Sequence, residues 1–197
     1  MNPKTQKIRE SVEKLRGQLW PNVTPEMLWH RKRSDGYSTI PRTLSLAMVM
    51  MDALSKGRPV SSTYLELWCR THDESVLILT GKEHEYATAS GFSGERAVST
   101  WFARLDILAE LGFIRLADGP RGPRSYALLL NPYHVLKKLE PKIERFLWNT
   151  FLARVVEIRA TDMDEPAAEP PLPAIPVAPK TAKSPKTTKT SPRRTRR

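Results

Sequence analysis

The chain has 197 residues and carries 32 Lys+Arg against 21 Asp+Glu, a formal net charge of +11; this is length for one ordinary domain or two small ones. The single cysteine, Cys69, excludes an intramolecular disulfide framework and a multi-cysteine zinc site, and no apolar run reaches the ~18 residues of a membrane span. Beyond residue 160 every acid lies before Pro170 and every base after Pro179, so a basic body ends in a purely basic tip. That balance suits a polyanion, nucleic acid before an acidic membrane surface. Met1-Asn2-Pro3-Lys4 leads into charged residues, not a signal-peptide core, so a soluble protein of the cytoplasm, associated with the nucleoid, is expected.

Residues 3–20 read as a short basic helix. Ile8, Val12, Leu15 and Leu19 are spaced 4, 3 and 4 apart, a two-heptad seam. The favoured reading is an arm docked on its own domain; the other is a helix paired with a second copy. Residues 21–40 predict a loop with at most one helical turn near Pro25–Trp29. Its triplet Arg31-Lys32-Arg33 is either a solvated loop or a clamp on a nucleic-acid backbone.

From Pro41 to Lys56, Leu44, Met48 and Met51 with Ala47, Met50 and Leu54 keep helical spacing, and Gly57 with Pro59 stops the helix. Ser61 or Ser62 is the expected cap of the next helix, with Thr63 and Glu66 also fitting a capping box. Val76-Leu77-Ile78-Leu79 is too short for a helix and predicts a strand over 76–80. A helix over 82–90 follows, then the turn Gly91-Phe92-Ser93 and a long helix over 94–111, with Ser93 as its cap. Ala97, Trp101, Leu105 and Leu108 fall within one arc of that helix and should face the core. Strands are expected at 113–117 and 125–130. Asp118-Gly119-Pro120-Arg121-Gly122-Pro123-Arg124 is expected as a polar loop that sustains no ladder.

The long helix would then present Ser93, Arg96, Ser99, Thr100, Ala103 and Arg104 away from the core. A fork donor, hydroxyls and a small residue are what a major-groove reader needs. A hydroxyl or N–H at the helix start suits a phosphate.

The order of elements over 76–131 resembles the winged helix-turn-helix superfamily. The carrying residues are Tyr86-Ala87-Thr88-Ala89-Ser90-Gly91-Phe92-Ser93 for the first helix and turn. Thr100-Trp101-Phe102-Ala103-Arg104-Leu105-Asp106-Ile107-Leu108-Ala109-Glu110-Leu111-Gly112-Phe113-Ile114 fits the reading helix entering the wing. One departure is about an extra helical turn between Ser93 and Thr100. The resemblance implies that residues 94–104 enter the major groove of double-stranded DNA, and that 118–124, with Arg121 and Arg124, lies along phosphates or in the minor groove. The fold class expected is thus mainly α with a small antiparallel β wing.

Pro132-Tyr133 opens a helix to about Leu139, and Pro141 another to about Ala160. In the latter, apolar residues cover more than half the circumference. Either the helix is sandwiched within the domain or it forms a homodimer interface through Ile143, Leu147, Trp148, Phe151, Leu152 and Val155, and the dimer is favoured. Composition thus divides the chain into a basic helix and loop (1–40), a winged-helix domain (41–131), C-terminal helices (132–160), and a proline-rich spacer with a basic tail (161–197), the tail expected to be disordered. Ser184-Pro185-Lys186 and Ser191-Pro192-Arg193-Arg194 are similar to the Ser-Pro-basic motifs of linker-histone tails, which bind A·T-rich minor grooves. Lys180, Lys183, Lys186, Lys189, Arg193, Arg194, Arg196 and Arg197 give up to eight phosphate contacts, a log–log salt slope of order −7.

Enzyme chemistry finds little support. Cys69 and His72 lack a second ligand pair, and His84-Glu85 lacks the second histidine of a zincin helix. Gly91-Phe92-Ser93-Gly94 has no lysine for a phosphate loop, and no nucleophile elbow is present. No catalytic residue, metal, cofactor or small-molecule ligand is expected. The function expected is sequence-specific binding of double-stranded DNA by a transcriptional regulator or a replication or partition factor of a bacterial mobile element. The contrasting reading is an architectural or protein-interaction module whose tail alone touches nucleic acid. RNA binding is disfavoured, since no aromatic sheet platform is visible.

Overall fold

The computed structural model describes residues 3–161 and residue 163, with side chains from Gln6 onward. The expectations for the acidic spacer and for the eight tail bases lie outside these residues. Among the described residues the chain is mainly α, with seven α-helices and one three-stranded antiparallel sheet.

Helix α1 (Pro3–Leu19) has its predicted extent, but it does not dock as favoured. Ile8, Val12, Leu15 and Leu19 remain 53–59 % exposed. The segment that follows makes one 3-10 turn at Pro25–Met27, and its side-chain bonds are local, as where the Arg33 Nη2 donates to the Pro25 carbonyl at 2.9 Å. A hydrogen bond to the core comes from the Ser38 hydroxyl, which donates to the Trp68 carbonyl at 3.0 Å.

Helices α2 (Leu44–Leu54) and α3 (Ser61–Arg70) begin the core. Leu44, Ala47, Met50 and Met51 of α2 are buried, as are Thr63, Tyr64 and Leu67 of α3. The cap of α3 is not the expected serine, nor the Thr63–Glu66 box. Val60 holds the cap position without a capping side chain. The Asp52 carboxylate on α2 instead accepts from the Val60 and Ser61 N–H groups at 2.7 and 2.9 Å. A charged acceptor reaching across a tight connection satisfies two otherwise orphan donors, and with Val60 at the cap position both serines lie inside the helix.

Strand β1 (Val76–Ile78) is followed by α4 (Glu83–Ala89), α5 (Ala97–Leu111), β2 (Ile114–Gly119) and β3 (Gly122–Leu129). The sheet order is β1-β3-β2, with Leu77 opposite Ala127 and Ile114 opposite Leu129. These four residues are buried on the inner face, while Val76 and Ile78 alternate to the outside. Helix α6 (Pro132–Leu139) starts where the Asn131 side chain accepts from the Tyr133 N–H at 2.9 Å.

Helix α7 (Arg145–Ile158) is shorter than expected, because a separate 3-10 turn occupies Glu140–Lys142. Its face corrects the interface expectation. Trp148, Phe151 and Val155 are buried in the chain's own core, Phe151 completely. Ile143, Leu147 and Leu152 pack half-buried against it. The broad apolar surface arises because the helix is covered from two sides: it packs on α2, and the Phe151 ring lies 5.8 Å from that of Tyr133. The Thr43 hydroxyl ties the same corner by donating to the Tyr133 hydroxyl at 2.8 Å.

Candidate nucleic-acid interface

Helices α4 and α5 are held by buried aromatic contact. The Tyr86 ring stacks on Trp101 at 5.3 Å and 15°. Arg70 fixes α4 from behind, donating to Glu66 on its own helix and to Glu85 on α4, with its guanidinium 4.5 Å over the Tyr86 ring. The connection between the two helices is longer than the expected three residues. Gly94 adopts φ +78°, a left-handed conformation that glycine takes without strain. It breaks the helical path, so α5 begins at Ala97. The extra turn of helix expected before Thr100 is therefore turn backbone.

The predicted inner face of α5 is confirmed, with Ala97, Trp101, Leu105 and Leu108 all buried. Ile107 is buried as well. The outer face brings together most of the candidate reading residues. Arg96 and Ser99 are exposed, and Thr100, Ala103 and Arg104 are half-buried. Ser93 is exposed in the turn and does not cap the helix. The cap position falls on Arg96, and no side chain caps α5. The Ser99 hydroxyl donates to the Arg96 carbonyl at 2.9 Å, which uses its proton and leaves its oxygen able to accept. The Arg104 guanidinium lies 5.9 Å over the Phe92 ring, drawn back onto the turn, with its Nε buried and lacking a hydrogen-bond partner.

The hairpin differs from the open loop expected at 118–124. The ladder continues through Gly119 opposite Gly122, with an irregularity between Ala117 and Gly119, so the tip is only Pro120-Arg121. Side chains replace the missing backbone bonds. The Asp118 Oδ1 accepts from the Arg124 N–H at 3.0 Å, and the Ser125 hydroxyl donates to the Gly122 carbonyl at 2.7 Å. Gly119 leaves no room for a side chain, since a Cβ would stand 2.7 Å from Ser125 and Tyr126 side-chain atoms.

Arg121 is exposed at the tip. Arg124 has a role that the sequence did not suggest. Its Nε and Nη2 donate to the two Asp106 carboxylate oxygens at 2.8 and 2.9 Å. Its guanidinium also sits 5.3 Å from the centre of the Phe102 ring. Asp106 and Phe102 lie one turn apart on α5, so Arg124 fastens the hairpin to that helix. Asp106 on the outer face of α5, four residues after Phe102, was visible in the sequence, but nothing there paired it with Arg124.

Arg31 and Lys32 are exposed, while Arg33 bonds within its own loop. The hydrogen bonds and ion pairs of this triplet do not reach α5 or the hairpin. Among the described residues no group of three or more His, Cys, Asp or Glu is placed to hold a metal ion. No helix among them is long and apolar enough to cross a membrane. Compared with protein-family models, curated proteins and solved structures, the chain matches none.

Proposed function

We propose that residues 41–139 form a winged helix-turn-helix module that binds double-stranded DNA with sequence preference. The observation that carries this reading is the chain order α3, β1, α4, turn, α5, β2, β3, with β1 laid against β3. In that order α5 is the reading helix and the β2–β3 hairpin the wing. The outer face of α5 supports it. Arg96 supplies a fork donor, the Ser99 and Thr100 hydroxyls supply polar contacts, and Ala103 permits close approach to base edges. The uncapped start of α5 leaves first-turn N–H groups for a phosphate. Arg121 at the wing tip adds a backbone or minor-groove contact. The biological role that fits is a transcriptional regulator or a replication or partition factor of a bacterial mobile element.

The test is a gel shift on fragmented genomic DNA with competitor, followed by footprinting, for the full chain and for residues 1–165; the chain divides after Glu165. Discrete sites bound by both proteins are expected, and their genomic positions separate promoter from origin or partition binding. Arg96→Ala should relax discrimination at one or two base pairs, by roughly 1–3 kcal/mol. If residues 1–165 show no site preference while the full chain binds all sequences alike, the reading falls. Non-specific binding by the tail of an architectural protein then stands.

A further inference from the structure

We propose that the loop carrying Trp29, Arg31, Lys32 and Tyr37 is a second nucleic-acid site, which takes a single strand by stacking its bases on the two rings and pairing its phosphates with the two cations. Trp29 and Tyr37 are 67 % and 52 % exposed. Their rings meet edge to face, 6.1 Å apart at 78°, and at that exposure both keep ring surface open to solvent. Every base has a flat π face, so such rings accept a strand of any sequence. In a duplex those faces are hidden within the stack, and the hydrogen bonds and ion pairs of the Arg31–Arg33 triplet do not reach α5 or the hairpin. The loop is thus a site of its own, and it does not rest on the duplex reading.

Local bonds set the charges of this loop. From Trp29 to Tyr37 it holds three bases and one acid, Asp35. The Arg33 N–H donates to the His30 carbonyl at 2.8 Å, and the Lys32 N–H to the His30 Nδ1 at 3.2 Å. These bonds close a tight turn with Arg31 and Lys32 at its two central positions. The Arg33 side chain is tied down by the Pro25 carbonyl and by Glu26 at 4.0 Å. The exposed side chains of Arg31 and Lys32 form no ion pair among the described residues, which leaves both charges for phosphates. Beside Tyr37 lies a cleft of about 440 Å³, walled also by Trp68, Asp73 and Glu74. It is large enough to admit a base. Its two acids repel phosphate, so the backbone stays on the Arg31–Lys32 side and a base turns inward. The same acids disfavour an anionic membrane surface, the other partner that a basic aromatic segment suits.

The experiment is fluorescence anisotropy of labelled oligo-dT and oligo-rU of about 12 nucleotides, on the order of one site, titrated with the full chain at several salt concentrations. The tail bases also attract a polyanion, so the readout is the difference that the loop makes. Trp29→Ala and Tyr37→Ala should each weaken binding about tenfold or more, with the salt slope and the thermal melt unchanged. Arg31→Ala with Lys32→Ala should lower the slope by about 1.4, from ~0.7 for each phosphate contact on a single strand. An abasic strand of the same length tests stacking on the unaltered protein, and it should bind at least about tenfold more weakly than oligo-dT. Arg96→Ala should change none of these values, so this site and the duplex reading fail separately. The tighter of oligo-dT and oligo-rU names the natural source, and equal affinity means that base faces and phosphates alone are read. An abasic strand bound as tightly as oligo-dT overturns the proposal, as do aromatic variants that bind like wild type. Binding to phosphatidylserine vesicles that is lost in Trp29→Ala, with oligo-dT binding unaffected, overturns it as well and assigns the loop to a membrane.

Discussion

Arg121 and Arg124 stand three residues apart on one hairpin, yet their environments assign them opposite work. Arg121 carries an exposed charge at the tip; the charge of Arg124 is matched by Asp106. On the proposed function, replacing Arg121 by Ala should therefore reduce the salt slope of DNA binding by ~1. Arg124→Ala should leave the slope nearly unchanged and instead lower stability by about 1 kcal/mol, since the pair is half-exposed and bidentate. A double-mutant cycle with Asp106→Ala reads the coupling directly. Tyr64 makes a prediction of another kind. Burial pushes its phenol up to about 12, with the neighbouring Trp68 indole pulling the other way. The unfolded chain loses this proton near pH 10 and the folded chain only near 12, so the contribution is full below pH 10 and is lost as pH rises between the two values. Two units correspond to at most about 2.7 kcal/mol. Tyr64→Phe should flatten the alkaline loss of stability relative to wild type, measured by denaturant titration at pH 9 and 11.5. Of these, the exposed charge of Arg121 was legible in the sequence, while the Arg124–Asp106 pair and the burial of the Tyr64 phenol were not. The Arg124–Asp106 pair closes over 18 residues, and a hairpin arginine carries no local mark of the helix that it will meet.

Elements were more legible than the bonds between them. The inner stripe of α5 follows from the period of 3.6, and β1 from an apolar, partly β-branched run too short for a helix, both of which depend only on neighbouring residues. Boundaries escaped where a distant group or a single glycine decided them. Gly94 sits in a stretch that otherwise reads as a helix start, and its positive φ moved that start to Ala97. The cap of α3 escaped because its acceptor belongs to the preceding helix. Asp52→Ala should show this. Loss of two charge-assisted bonds to the Val60 and Ser61 N–H groups should cost about 1–2 kcal/mol, whereas Ser61→Ala or Ser62→Ala should cost less than about 0.5 kcal/mol. Thermal melts of the three variants give the comparison.

At the scale of the whole molecule, the proposed function makes the basic tail and the globular part contribute separable terms to DNA binding. Residues 1–165 should keep the site preference of the full chain, while the salt slope falls by about 7 when the eight tail bases are removed; titrations at several salt concentrations measure both. Composition sufficed for that expectation, because charge acts without a fold. It did not suffice for α7. A helix apolar over more than half its circumference reads the same whether its second flank meets a partner or the first helices of its own chain. Here it meets its own. The Thr43–Tyr133 bond joins residues 90 apart, Phe151 seals the corner beside it, and β1 finds its partner only when β3 exists. For a chain made from its N-terminus, the hydrophobic centre therefore stays open until nearly all of the folding sequence has been synthesised. Such late closure slows folding and lengthens the time during which a nascent chain is a client for chaperones. A polypeptide stalled or cut before Arg145 would carry α2 without its cover, and cellular quality control would meet it as an aggregation-prone fragment, not as a smaller working protein.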